Sequence, residues 1–386
     1  KQPFDLGAGP LFRASLLHVG GQRHVLLLMM HHAVSDGWSI DLMVREMNAL
    51  YGAFVRGQPS PLPPLPVQYA DYALWQRQWL QGEVIERQLA YWTRQLAGAP
   101  AALELPTDRP RPAVASFRGA VRHFAIPQPL SCVLADLARR EGASLFMVLM
   151  AAYQTLLSRW SGQADVLVGT PIAGRQQREL EALIGFFVNT IVIRSDLSAG
   201  QTFSTLLARV REATLDAFAH QDLPFEKLVE ALQPVRDLSR QPIFQVWFVL
   251  GRISEQEPLA LSQLSLEKVE VDHQVSKFDL TLSMRETADG LVGSFEYATD
   301  LFDEGTIERL SDSFVFLLDA IAARPDSTLE TLPLLTAEGR RRAVEDGNAT
   351  AHALPDATLG QLFERQARRT PDARALLCGD EALGFG

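Results

Sequence analysis

The hydrophobic pattern changes its period near the start of the chain. Residues 11–17 and 24–30 are predicted strands, and the second is apolar at consecutive positions, as expected of a strand buried on both faces. Apolar residues then recur at helical spacing over 40–54, with Ser39 as the predicted N-cap. The segment between them, MMHHAVSDGWS at 29–39, is therefore predicted to be a strand–turn–helix junction.

Strands and helices alternate along most of the chain, which predicts an α/β or mixed α+β fold. In the helix expected over 220–232, Asp222 is the predicted cap and Pro224 suits the first turn. The other predicted helices span 130–140, 145–160, 203–218 and 304–323, and the predicted strands span 117–126, 166–170, 184–194, 243–250, 264–271, 278–284 and 292–297.

The composition shifts after residue 335. Residues 336–357 are polar and rich in turn formers, which predicts a linker. Helical spacing resumes over 358–369, and a strand is predicted over 373–378. A further domain is therefore expected to begin at residue 358.

Composition and charge exclude several classes of function. The 386 residues carry 36 Lys and Arg against 46 Asp and Glu, and this acidic balance argues against a nucleic-acid partner. The apolar run at 25–30 is far too short to span a bilayer, and no secretory leader precedes it. Two distant cysteines, Cys132 and Cys378, predict no disulfide framework, so a cytoplasmic location is expected. The start, KQPFDLGAGP, is that of a piece of a longer polypeptide.

The histidine pair in the junction carries the chemistry. Adjacent residues on a strand point to opposite faces, so His31 and His32 are not expected to share a metal ion, and no metal site is predicted. A neutral imidazole accepts a proton near physiological pH if a second group fixes its tautomer. Asp36 is a candidate for that group, or else a partner for an arginine. A buried histidine without a neighbouring nucleophile suits a transferase whose substrate brings its own nucleophile.

Several motifs in a fixed order resemble a condensation domain of a nonribosomal peptide synthetase, in the chloramphenicol-acetyltransferase-like superfamily. The resemblance covers residues 1–335, and LFERQARRTPDARALL at 362–377 resembles the first residues of an adenylation domain. The blocks besides HHAVSDG are PFDLGAGPLFRASLL at 3–17, VLVGTPIAGR at 166–175, IGFFVNTIVIR at 184–194, HQDLPFEKLVEAL at 220–232, RDLSRQPIFQVWF at 236–248 and KFDLTL at 277–282.

The resemblance implies two acetyltransferase-like lobes in a V. Residues 1–115 would be the remainder of the N-terminal lobe, and 116–335 the C-terminal lobe. The family has a further stretch before PFDL, so the first lobe is expected to be incomplete and to leave apolar sheet surface exposed. The linker would span 336–357, and the start of an adenylation domain 358–386, which lacks the nucleotide motifs and is expected to perform no adenylation.

The implied reaction joins a donor thioester on an upstream carrier protein to the amine of a downstream carrier-bound aminoacyl thioester. His32 would be the catalytic residue, as a general base or as the group that orients the amine. His31 and Asp36 would support the motif, Gly37 would be its tunnel-facing turn residue, and Arg175 would pair with Asp36.

Three further residues are candidates for the substrate tunnel, namely Trp38, Ser39 and Asn189. Asn189 has a competing interpretation as a satisfied core amide. No directly bound cofactor is expected, because the substrates travel on the phosphopantetheine of the carrier proteins. The carriers and the adjoining adenylation domain are the expected partners.

Alternatives remain within and outside this chemistry. An epimerisation domain shares the HHxxxDG signature, and a non-catalytic carrier-docking module could keep the fold. The adenylation-like tail and HQDLPFEKL favour condensation. AVSDGWS and the same block favour the type that joins two L-residues.

Overall fold

The computed structural model describes residues 3–235, 237–251, 261, 264–267, 269, 274–346, 348–351, 353, 356–379 and 381–385. The chain divides into two compact units, Lys1–Leu334 and Leu335–Gly386.

The first unit opens with an antiparallel hairpin. Strand β1 (Phe12–Gly20) pairs with β2 (Arg23–Met30), with Phe12 opposite Met30. The expectation that β2 is buried on both faces is wrong, since Leu26 and Leu27 are 39% and 41% exposed. The two strands form a sheet of their own, so both faces of β2 keep contact with solvent. The exposed apolar sheet surface that the sequence predicted is present, at Phe12, Leu16, Leu17 and Val19.

Three helices follow the hairpin: α1 (Gly37–Val55), α2 (Tyr69–Trp79) and α3 (Glu83–Leu96). The N-cap of α1 is Asp36, whose carboxylate accepts the backbone N–H of Ser39, so the predicted cap at Ser39 is wrong. Asp36 has extended backbone geometry, as a cap requires, whereas Ser39 already lies inside the first turn.

A six-stranded mixed sheet forms the centre of the first unit. Its strands are β3 (Gly119–Pro127), β4 (Asp165–Ile172), β5 (Asn189–Asp196), β6 (Val246–Gly251), β7 (Leu280–Thr287) and β8 (Gly290–Ala298). Their order is β3-β8-β7-β6-β4-β5, with β6 parallel to both β4 and β7 and the other pairs antiparallel. The predicted mixed α/β class is confirmed.

Helices pack on this sheet and close the main core. They are α4 (Gln128–Arg140), α5 (Leu145–Ser161), α6 (Phe203–Ala219), α7 (Phe225–Leu232) and α8 (Glu304–Ala323). The middle of α5 is buried all round, from Met147 to Leu157. Its Tyr153 contacts the rings of Phe248, Phe295 and Phe314.

Two predicted boundaries near the site are wrong. The strand expected over 184–194 begins only at Asn189, and the residues before it form a loop. The helix expected from residue 220 begins at Phe225, while His220 is the C-cap of α6. Asp222 therefore lies in the turn between two helices and is not a cap. The strand predicted over 264–271 lies partly outside the described residues, and those described there form no strand.

The second unit contains the short helix α9 (Ala337–Arg341), α10 (Leu359–Arg369) and the hairpin of β9 (Arg374–Cys378) with β10 (Glu381–Gly384). The capping box between Thr358 and Gln361 explains why α10 begins where the sequence predicted. Across the described part of the chain, no helix combines the length and apolarity that crossing a membrane requires.

The hydroxyl of Tyr153 is buried without a hydrogen-bond partner, which makes a testable prediction about the core. Tyr153→Phe removes this unpaired group and keeps the ring, so the free energy of unfolding should stay the same or rise by about 1–3 kcal/mol. Tyr153→Ala should instead cost about 3–5 kcal/mol through the cavity it leaves. Urea denaturation measures both. A clear loss of stability in Tyr153→Phe would show that the hydroxyl has a partner.

Candidate functional site

The two histidines lie after the strand rather than on it. Strand β2 ends at Met30, and His32–Val34 form a 3₁₀ turn that leads to Asp36. The backbone N–H of His31 donates to the carbonyl of Leu11, which fixes the start of the turn against β1. The expectation of a buried His32 is wrong, because its ring is exposed beyond the end of the strand.

His32 is held as the tautomer that a base requires. Its Nδ1 lies 2.5 Å from the carbonyl oxygen of Ser35. A carbonyl oxygen only accepts hydrogen bonds, so Nδ1 carries the proton in the neutral ring and Nε2 carries the lone pair. Among the described residues, no hydrogen bond uses Nε2. His32 therefore presents a free acceptor nitrogen.

His31 has the opposite tautomer. Its Nδ1 accepts the backbone N–H of Ala33 at 3.0 Å, so the proton of the neutral ring is on Nε2. The edge of its ring faces the ring of Phe4, with the centroids 6.0 Å apart. His31 thus closes the turn locally, while the nitrogen of His32 that could accept a substrate proton stays open.

A buried ion pair anchors the other end of the turn. Arg175 Nη2 lies 3.2 Å from Asp36 Oδ1, and the two side chains are only 1% and 4% exposed. The same Nη2 donates to Ser39 Oγ at 2.9 Å. Asp36 Oδ2 also accepts the backbone N–H of Phe187 at 3.0 Å. The carboxylate therefore caps α1, binds the guanidinium and fixes a distant loop.

That loop, residues 180–187, leads into β5 and is held almost entirely by side chains. Arg175 Nη1 donates to the carbonyls of Leu180 and Leu183, at 2.6 and 2.7 Å. Trp38 Nε1 donates to the carbonyl of Glu181, and the hydroxyl of Tyr69 donates to that of Phe186, at 2.9 and 2.8 Å. The carbonyls of the loop gain from these side chains the partners that a sheet would otherwise supply.

The loop brings Phe186 against His32. The two rings meet edge to face with their centroids 5.2 Å apart. Sequence reasoning did not single out Phe186 or Tyr69. The paired phenylalanines of IGFFVNT were a signal for the first, since Phe187 is buried and its neighbour points to the other side.

Two glycines permit this close packing. Gly174 has φ +65°, and a Cβ there would lie 1.9 Å from the carbonyl oxygen of Phe187. A Cβ at Gly185 would lie 2.4 Å from the ring of Tyr69. Both positions therefore require glycine, because side chain and backbone cannot occupy the same space.

The environment of Asp36 shifts its pKa. Burial by itself raises the pKa, but the hydrogen bonds from the Ser39 side chain and from the backbones of Phe187 and Ser39, with the charge of Arg175, outweigh it. The net pKa lies below its ordinary value. Asp36 is therefore a permanent anion at neutral pH and stabilises the fold in that form.

The other predicted site residues occupy different places. Ser39 is fully buried with its hydroxyl bound to Asp36, Arg175 and Gly185, so it belongs to the network and not to a tunnel wall. Trp38 is 41% exposed beside this network. Gly37 is the first residue of α1, and a Cβ there would meet no atom within 4 Å, so a tight turn is not its reason.

Asn189 is a satisfied amide. Its Nδ2 donates to the carbonyls of Gln221 and Leu223, both at 2.8 Å, and its Oδ1 accepts the N–H of Phe225 at 3.1 Å. The side chain clamps the turn between α6 and α7. This arrangement agrees with the competing interpretation of Asn189 rather than with substrate contact.

Comparison with known proteins gives one consistent family. The family model "Condensation domain" matches residues 1–343. A linear gramicidin synthase of Brevibacillus parabrevis is 48% identical over 389 residues, which cover 99% of this chain and 8% of the synthase. Malpinin synthetase of Mortierella alpina is 44% identical over 384 residues, which cover 99% of this chain and 5% of the synthetase. The chain thus spans less than a tenth of either relative.

Two solved structures are similar in fold. A holo four-domain nonribosomal peptide synthetase bound to AMP and glycine matches with a TM-score of 0.79 and 28% identity, over 100% of this chain and 30% of that one. The X-domain in its complex with OxyB from teicoplanin biosynthesis matches with a TM-score of 0.78 and 32% identity, over 87% of this chain and 75% of that one.

The ion pair predicts how stability depends on pH. Asp36→Asn leaves Arg175 buried without its counter-charge, so the free energy of unfolding at pH 7 should fall by about 3–5 kcal/mol. Asp36 has a lowered pKa when folded, so its contribution is complete above the unfolded pKa of about 3.9 and is lost as the pH falls through the lower, folded value.

Urea denaturation from pH 7 down to pH 2 measures this effect. The difference between the parent and Asp36→Asn should be constant above about pH 5 and shrink below about pH 4. Asp71→Asn is the matched control, because Asp71 accepts the N–H of Gln68 at the start of α2 on the protein surface. A difference that stays constant down to pH 2 would contradict the assigned role of the Asp36 charge.

Proposed function

The chain belongs to the condensation-domain family of nonribosomal peptide synthetases, and we propose that it joins the acyl group of an upstream carrier-bound thioester to the amine of a downstream carrier-bound aminoacyl thioester. The observation that carries this proposal for the site is the open Nε2 of His32, held as an acceptor by the Ser35 carbonyl. No nucleophile from the protein is needed, because the substrate amine attacks.

The reaction balances with one acceptor nitrogen. The amine attacks the thioester carbon, the C–N bond forms and the C–S bond breaks. The amine loses one proton, and the departing thiolate takes one. His32 Nε2 accepts a hydrogen bond from the amine in both roles open to it, as the base that removes this proton or as the group that aims the lone pair.

The supporting residues act through position. Asp36 and Arg175 hold the turn that ends in α1 against the loop that carries Phe186. Phe186 in turn borders the His32 ring on one side. The network limits the orientations of the imidazole without touching its reactive nitrogen.

We assign residues 1–335 to the condensation domain, with 1–115 in its N-terminal lobe and 116–335 in its C-terminal lobe. Residues 336–357 form the linker, and 358–386 begin an adenylation domain. The match of the family model to residues 1–343 supports this division, as does the boundary between the compact units after Leu334. Upstream and downstream carrier proteins and the adenylation domain are the proposed partners.

A second candidate is a docking module without catalysis. It is favoured by the similarity to an X-domain that was solved in complex with another protein, OxyB. An epimerisation domain remains a further alternative, since it shares the histidine signature.

One assay separates these functions. Donor and acceptor carriers are loaded with amino acids and mixed with the full chain joined to its native flanking sequence, and the dipeptidyl thioester is measured by mass spectrometry. His32→Ala should lower the rate by about 10²–10⁴-fold, as loss of proton transfer or orientation does. His24→Ala, a histidine on the same hairpin, is the matched control and should leave the rate unchanged.

The outcomes of that assay are distinct. A dipeptide formed at an equal rate by the His32 variant removes His32 from the mechanism. An epimerised residue without a dipeptide assigns the chain to epimerisation. Intact binding of carriers with neither product assigns it to docking.

We also propose that the donor is an L-residue, on the strength of AVSDGWS and HQDLPFEKL. The same assay with D- and L-loaded donor carriers should give dipeptide from the L-donor and little from the D-donor. Chiral analysis of the hydrolysed product measures the preference. A faster reaction with the D-donor would contradict this assignment.

A further inference from the structure

A cleft of about 370 Å³ lies beside Arg175, at the ends of β4 and β6. Most of its wall is apolar, including Phe146, Ile172, Phe218 and Leu250. Two glutamines, Gln176 and Gln221, also line it. The residues described around the cleft include no carboxylate, and the charge of its single guanidinium is bound by Asp36.

The orientation of both glutamine amides is fixed by their partners. Gln176 Nε2 donates to Asp222 Oδ1 at 2.9 Å, and Gln221 Nε2 donates to the carbonyl of Phe218 at 2.8 Å. Each partner oxygen accepts, so each partner must face the NH₂ end of the amide. The carbonyl oxygen Oε1 is left over in both, and no hydrogen bond of the described residues uses it.

Asp222 is an unusual partner for Gln176. Its other oxygen accepts Gln88 Nε2 from helix α3 at 3.2 Å, and it belongs to no ion pair within the described part of the chain. Burial raises its pKa more than these two hydrogen bonds and the charges of Arg87 and His220 lower it. A half-buried carboxylate held only by amides costs free energy, and such sites favour a functional explanation.

The turn that carries Asp222 and Gln221 is held rigidly. Besides the contacts of Asn189, Trp92 Nε1 donates to the carbonyl of His220 at 2.8 Å. The ring of Tyr91 stacks on the imidazole of His220, with the centroids 3.9 Å apart. A fixed backbone places the two free oxygens in a defined relation to the cleft.

We propose that Gln176 and Gln221 are hydrogen-bond acceptors for the amide N–H groups of the carrier-bound substrate in this cleft, with Asp222 as the positioning residue that keeps Gln176 Oε1 available. The proposal rests on the proposed function. A neutral amide fits better than an ammonium, because the lining holds a guanidinium and no acidic side chain. The amide can belong to the pantetheine arm or to the peptidyl group, and the probes below separate these sources.

Binding without turnover tests the proposal. The full chain carrying His32→Ala is titrated with S-ethyl pantetheine, with an N-acetylaminoacyl amide, and with the ester isostere of each. Gln176→Leu and Gln221→Leu should each raise the Kd of the amide probe that uses the cleft about three- to tenfold, the effect of one neutral hydrogen bond. The ester isostere lacks the N–H, so its Kd should not change between variants.

Two further variants isolate Asp222. Asp222→Ala frees the Gln176 amide to turn and should weaken the amide probe as Gln176→Leu does. Asp222→Asn keeps an acceptor oxygen for Gln176 and should restore binding. Gln81→Leu is the control for Gln221, because Gln81 Nε2 likewise binds a nearby backbone carbonyl, that of Arg77, outside the cleft.

The outcomes are separable from those of the condensation assay, since no reaction occurs in this background. Equal loss for amide and ester probes would assign the glutamines a role in shape alone and overturn the proposal. Unchanged binding in both leucine variants, or no binding of either amide probe to the parent, would overturn it as well. The probe that responds identifies the source of the amide.

Discussion

The site depends on one carboxylate that serves a cap, a salt bridge and a loop at once. Asp36 lies in the chain 139 residues before Arg175, yet the two are buried together and share Ser39 as a common neighbour. Removing two charges from water is costly, and only good geometry with further hydrogen bonds offsets that cost. Here the backbone N–H groups of Ser39 and Phe187 supply those bonds. The histidine turn therefore has a defined place relative to the loop before β5.

The chemistry of the turn follows from backbone carbonyls and N–H groups rather than from charged partners. His31 accepts from Ala33 while His32 donates to Ser35, so adjacent rings of the same residue type hold their protons on different nitrogens. A strand could not give this result, because it would use these backbone groups in its own ladder. The end of β2 at Met30 is thus a requirement of the site.

Much of the fold could be predicted because local patterns determine it. The helix over 304–323 was predicted at its observed bounds, and the period change after β2 gave the correct order of elements. The partnership of Asp36 with Arg175 came from the family resemblance. The role of Ser39 was missed, since its partners Arg175 and Gly185 are remote in sequence. The start of β5 was missed because an apolar loop held by side chains has the same composition as a strand. Asp222 was expected to cap a helix, and only tertiary packing shows that its partners are Gln88 and Gln176.

The separation of Asp36 from Arg175 along the chain has a consequence for recombination between homologous synthetases. A crossover anywhere between residues 40 and 174 would take the two halves of the buried network from different parents. Such a hybrid inherits the capping carboxylate and its serine from one ancestor, and the guanidinium, Gly174 and the loop it clamps from the other. Exchange is then tolerated only between parents whose loops place the same carbonyls and the same N–H at the same points. The network therefore makes this stretch a unit of inheritance, although its two ends look independent in the sequence.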